Sequence, residues 1–126
     1  MINTLDPAII PAEYEIKEIP KTEYTSVLSR SEVRELVSKY DWDVELMTAV
    51  FMAESSASST VVNWGDSHLT CDGSYGLAQI ACLHVEDPET LKDPVVNIGV
   101  AYKLWKRDGI NIWGSYTDGS YKNYLF

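Results

Sequence analysis

Hydrophobic residues fall on helical spacing in three stretches of the chain and give way to polar residues between them. The first stretch begins at Ser29. Its spacing to Glu32 is that of a capping box, and Val33, Leu36, Val37 and Tyr40 form one apolar stripe beyond it. The second opens at Asp43 as N-cap and runs from Val44 to Glu54. It is apolar nearly all round, which predicts a central, buried helix. The third opens at Asp93 with Pro94 in the first helical position, and carries Val96, Val100, Ala101, Leu104 and Trp105. Asp108-Gly109 ends it, glycine being suited to a left-handed stop.

Residues 55–75 are rich in Ser, Thr, Asn, Asp and Gly, too long a stretch for a featureless loop. A small hairpin fits there, with turns at Trp64-Gly65-Asp66 and Cys71-Asp72-Gly73. Gly76-Leu77-Ala78-Gln79-Ile80 then reads as a short helix. Residues 1–28 hold Pro7, Pro11 and Pro20 and read as an extended N-terminal arm, with Tyr14, Ile16 and Ile19 packing across the domain. Residues 29–126 form the domain itself, whose aromatic tail from Ile112 onward folds back on the core. The fold class expected is α+β, mainly α, with a loop or small β-hairpin inserted after the central helix.

Composition adds a skew: four Trp and eight Tyr against two Phe. Trp and Tyr suit sugar stacking and suit a core equally, and Trp64, Trp105 and Trp113 read as core. The net charge of −9 argues against nucleic acid and against anionic membrane surfaces. No run is long enough to span a membrane. The N-terminus lacks the basic and apolar regions of a secretory signal. Cys71 and Cys82 either pair in an oxidising setting, closing a short loop, or stand as two small apolar side chains. No metal set surrounds them, and no cofactor is implied.

The chemistry centres on Glu54. A carboxyl at the end of the most apolar helix is partly desolvated and lies near the negative end of the helix dipole. Both conditions disfavour its charged form, as a general acid requires. The plainer alternative is a glutamate at a frayed helix end, facing water. Asp66 and Asp72, on the polar stretch that follows, are the candidates for a second carboxylate beside it. Each stands beside a glycine, where a turn is the favoured reading.

The helix ending in Glu54-Ser55, followed by Gly73-Ser74-Tyr75-Gly76-Leu77-Ala78-Gln79-Ile80, resembles the signature segments of the lytic transglycosylase and goose-type-lysozyme-like superfamily. There a helix ends in Glu-Ser and is followed by a G-x-x-G-L-x-Q turn. Asp93-Pro94-Val95-Val96-Asn97-Ile98 is similar to that family's third segment, and Trp113-Gly114-Ser115-Tyr116 with Gly119-Ser120-Tyr121 is similar to small phage-associated members. The likeness spans residues 44 to about 124. The family's usual AYNAG ending is absent.

The resemblance implies a lysozyme-like fold that cleaves the MurNAc–GlcNAc β-1,4 bond of peptidoglycan, with Glu54 as the single general acid and base. It implies Gln79, Ser74, Tyr75 and Tyr116 as substrate contacts, with Gly76 letting the backbone approach Glu54. Asn97 is assigned to bonding a loop from its helix. A lytic transglycosylase is slightly favoured over a hydrolytic muramidase that uses Asp66 or Asp72. A wall-binding or virion module without turnover is the other class. The site of action would be the cell wall, in the periplasm or outside the cell, reached by lysis or on a larger particle.

Overall fold

A computed structural model describes residues 24–67 and 71–125, with residues 66 and 67 described for their backbone alone. Of the arm expected over residues 1–28, residues 1–23, including Tyr14, Ile16 and Ile19, lie outside the described residues. Residues 26–28 run antiparallel to 57–59: the Leu28 N–H donates to the Ala57 carbonyl and the Ser59 N–H to that of Ser26.

Capping starts the three main helices where the polar pattern places them. In α1 (Arg30–Val37) the Ser29 hydroxyl accepts the Glu32 N–H while the Glu32 carboxylate accepts the Ser29 N–H. The helix buries Val33, Leu36 and Val37 but stops before Tyr40, which stacks on Tyr102 from the following loop. Asp43 caps α2 (Val44–Ser55) by accepting the Leu46 N–H. Met47, Ala49, Val50 and Phe51 are almost fully enclosed, as expected of a central helix. Asp93 caps α3 (Pro94–Asp108), which buries Val95, Ile98, Val100, Ala101 and Leu104. Gly109 ends it with positive φ but an extended ψ of 179°, rather than the helical left-handed stop expected. Trp42 ties the layers together. Its indole donates to the Val37 carbonyl, and its ring meets Phe51, Tyr102 and Trp105.

The segment after α2 folds into a three-stranded antiparallel sheet, β1 (Val62–Ser67), β2 (Asp72–Tyr75) and β3 (Ile80–Ala81), in that order. Both turns expected here are instead strand. Trp64-Gly65-Asp66 lies inside β1, where the register shift between Asn63 and Ser67 sets three residues opposite Gly73 alone. The Asn63 side chain accepts the Gly65 N–H, so the turn chemistry of this stretch is absorbed as a bulge. Asp72-Gly73 opens β2.

The short helix expected over residues 76–80 is a tight turn joining β2 to β3. Two of its residues, Gly76 and Gln79, have positive φ, which breaks a helical path. Asn97, fully buried on α3, also takes the backbone groups a helix would use. It accepts the Ala78 N–H at 2.8 Å and donates to the carbonyls of Tyr75 at 2.8 Å and Leu91 at 2.9 Å. The loop-bonding role assigned to Asn97 is what the structure displays.

The chain is therefore mainly helical with one small antiparallel sheet. No helix among the described residues is long and apolar enough to cross a membrane.

Candidate functional site

The end of α2 is set by two consecutive left-handed residues, Ser56 (φ 53°) and Ala57 (φ 65°), neither of them glycine. That conformation costs on the order of 1 kcal/mol or more per residue. It stops the helix directly after Glu54-Ser55. Glu54 is left half-buried on the last turn, facing a cleft of about 380 Å³.

The carboxyl is oriented from α4 (Gly114–Thr117). The Ser115 N–H donates to Glu54 Oε2 at 3.0 Å, and the Ser115 hydroxyl donates to the Val50 carbonyl one turn back along α2. Oε1 has no hydrogen-bond partner among the described residues, so it is the oxygen available to a ligand. Trp113, just before α4, is buried, and its indole donates to the Ala78 carbonyl. The tail thus folds back on the core and joins the Glu54 helix to the turn carrying Gln79.

Across the cleft stand Asn63, Ser74, Gln79 and His84. Asn63 and Ser74 are register partners on β1 and β2. Gln79 Nε2 donates to the carbonyls of Gly76 at 3.1 Å and Val61 at 3.4 Å, which leaves its carbonyl oxygen to a ligand. His84 ends the 3-10 turn Cys82–His84. Its charge adds a minor pull on Asp108, whose carboxyl is held below the usual range chiefly by its hydrogen bond with Arg107. Ile112, an exposed apolar side chain, also lines the cleft.

Of the expected contacts, the structure brings Glu54, Ser74 and Gln79 to one cleft. Tyr75 is not among the lining residues. Its ring turns into the core, edge-on to Trp64. Tyr116 stacks on Tyr121 and lines a neighbouring recess instead. Asp72 is exposed at the start of β2 and does not line the cleft. Asp66 lies in β1, its side chain outside the described residues. Gly76 makes a close approach, but to a partner other than the one expected. A Cβ there would sit 2.4 Å from Asn97 Nδ2 and 2.5 Å from the Leu91 carbonyl, so the glycine serves the Asn97 contact rather than Glu54. Trp113 is core and Trp105 packs half-buried against it, whereas Trp64 is 64% exposed on the bulge.

Sequence reading missed Asn63, His84, Ile112 and Ser115. Asn63, His84 and Ile112 stand in no motif, and Ser115, although it lies in the Trp113–Tyr116 segment, reaches Glu54 through a backbone N–H that its side chain does not announce.

Cys71 and Cys82 form a disulfide, so the pairing alternative holds. It closes the hairpin that carries Ser74 and Gln79. For an 11-residue separation the restricted unfolded chain accounts for about 3 kcal/mol. Substituting both cysteines by serine is expected to lower the unfolding free energy by about that amount, read by urea melts. A loss under about 1 kcal/mol would show that the hairpin does not need the clamp. Among the described residues no group of three or more His, Cys, Asp or Glu is placed to hold a metal ion.

No protein-family model, no curated protein and no solved structure matches this chain.

Proposed function

We propose that the chain is a peptidoglycan-cleaving glycosidase of lysozyme-like fold, related to the lytic transglycosylases, with Glu54 as its acid and base. One observation carries the reading: Glu54, which lines the cleft and is held through Oε2 by the Ser115 N–H, is the only carboxylate among the described lining residues. Ser74 and Gln79, both on the G-x-x-G-L-x-Q stretch, face it from the sheet.

In the proposed reaction protonated Glu54 delivers its proton to the oxygen of the MurNAc–GlcNAc bond, and the bond from that oxygen to the muramyl C1 breaks. The substrate's own acetamido oxygen closes onto C1 and shares the positive charge. Glu54, now a carboxylate, takes the proton from the muramyl 6-hydroxyl as that oxygen attacks C1 and displaces the acetamido group. The acid is regenerated and the strand ends in a 1,6-anhydro sugar. One well-oriented carboxyl suffices for both steps. Glu54 being the one carboxylate among the described lining residues is what favours this route over hydrolysis.

Incubation with purified peptidoglycan tests the class. The expected result is release of soluble glycan fragments into the supernatant. Sedimentation of the protein with the wall, with nothing released, would make it a binding module instead.

A further inference from the structure

A second concavity adjoins the cleft. Asn111, Tyr116, Asp118, Tyr121 and Lys122 line a shallow recess of about 450 Å³. The two are lined by neighbouring residues of the same elements. Asn111 lines the recess while Ile112, next on the same 3-10 turn, lines the cleft. Gly114 and Tyr116 divide in the same way along α4.

Lys122 distinguishes the recess. Arg30 and Arg34 pair with Glu45, Lys92 with Glu89, and Arg107 with Asp108. Lys103 and Lys106 lie over the Tyr102 ring, and Lys39 has a contact of its own. Among the described residues Lys122 is the one cation without a partner. Asp118, on the same rim, makes no ion pair with it. That carboxylate instead accepts the Ser120 N–H at 2.8 Å, a bond that holds it below the usual range. In a chain of net charge −9, an unpaired ammonium is the point at which an anionic group meets attraction rather than repulsion. Beside it, the rings of Tyr116 and Tyr121, stacked with centroids 5.2 Å apart, give the recess an aromatic lining, and Asn111 offers an amide.

We propose that this recess binds the carboxylate-bearing stem peptide carried by a glycan strand seated in the cleft, with Lys122 pairing a peptide carboxylate. The inference rests on the glycan reading of the cleft. Reach selects the peptide over the sugar's own lactyl carboxylate. Three or four extended residues span about 10–14 Å, enough to cross the width of one helix, roughly 10 Å. A lactyl group on the ring itself does not extend that far.

Calorimetric titration of the Glu54→Gln protein removes turnover from the measurement. Three probes are compared: a MurNAc–GlcNAc disaccharide bearing a tripeptide, the peptide-free disaccharide and the free tripeptide. The peptide-bearing disaccharide is expected to bind about tenfold more tightly than the bare one. Adding Lys122→Met should erase that difference and Lys122→Arg should retain it, while raised salt weakens it. Disaccharide binding indifferent to the peptide, or a preference that survives Lys122→Met, would sink the recess and leave the glycan reading intact. Tripeptide binding without disaccharide binding would keep the recess and sink the glycan reading. Binding of none of the three would sink both.

Discussion

Replacing Glu54 by Gln is expected to lower glycan cleavage by about 10²- to 10⁴-fold, the usual worth of a positioned acid. Gln keeps the shape of the side chain and still offers an oxygen to the Ser115 N–H, so the bond joining α2 to α4 survives. In the proposed reaction it lacks the proton for the leaving oxygen and cannot act as the later base. The fold should be unaffected, with unfolding free energy within about 1 kcal/mol of the parent, because the group is half-buried and its one hydrogen bond is retained. Initial rates of fragment release and a urea melt of the same preparation separate the two effects. A variant that cleaved at the parent rate would remove Glu54 from the chemistry.

The largest expected loss of stability comes from Asn97→Ala. Its side chain is fully enclosed and makes three hydrogen bonds of 2.8–2.9 Å. Truncation leaves the Ala78 N–H and the Tyr75 and Leu91 carbonyls without that partner in the interior. Each such group costs about 1–3 kcal/mol. The expected total is about 4 kcal/mol, a large share of the 5–15 kcal/mol typical of a domain. Asn97→Asp makes the test chemical rather than steric. It keeps the acceptor for Ala78 but loses both donors, and places a carboxylate against two carbonyls, so it should be at least as damaging. Chemical melts of both variants check this. A loss below about 1 kcal/mol in either would mean that the turn holds itself.

Asn97 also marks the boundary of what sequence patterns reveal here. The helix starts at Ser29, Asp43 and Asp93 were legible because a cap and its N–H partner lie two or three residues apart. The buried character of α2 was legible because an all-round apolar helix has only one stable setting. The turn at residues 76–79 was not, because its shape is decided by an amide 19 residues downstream of Ala78. A segment rich in helix-compatible residues yields when a buried side chain claims its backbone groups.

The site divides in the same way. Glu54, Ser74 and Gln79 were named from motif and position, and they meet in the cleft. Tyr75 goes to the core because strand alternation, once register is fixed, sends it opposite to Ser74. Tyr116 goes to the recess because α4 presents its backbone, not that tyrosine, to Glu54. Ser115 stayed hidden because its contact spans 61 residues and uses the main chain.

The claim at the centre of the account is one carboxyl acting twice on a glycan strand, and the mass of the products reads it directly. Soluble fragments released from purified peptidoglycan should carry a 1,6-anhydro muramyl end and weigh one water less than the hydrolysis products. Fragments with free reducing ends would contradict the lone-carboxylate route and require a second group to activate water, and the absence of any glycan fragment would contradict the assignment of the cleft itself.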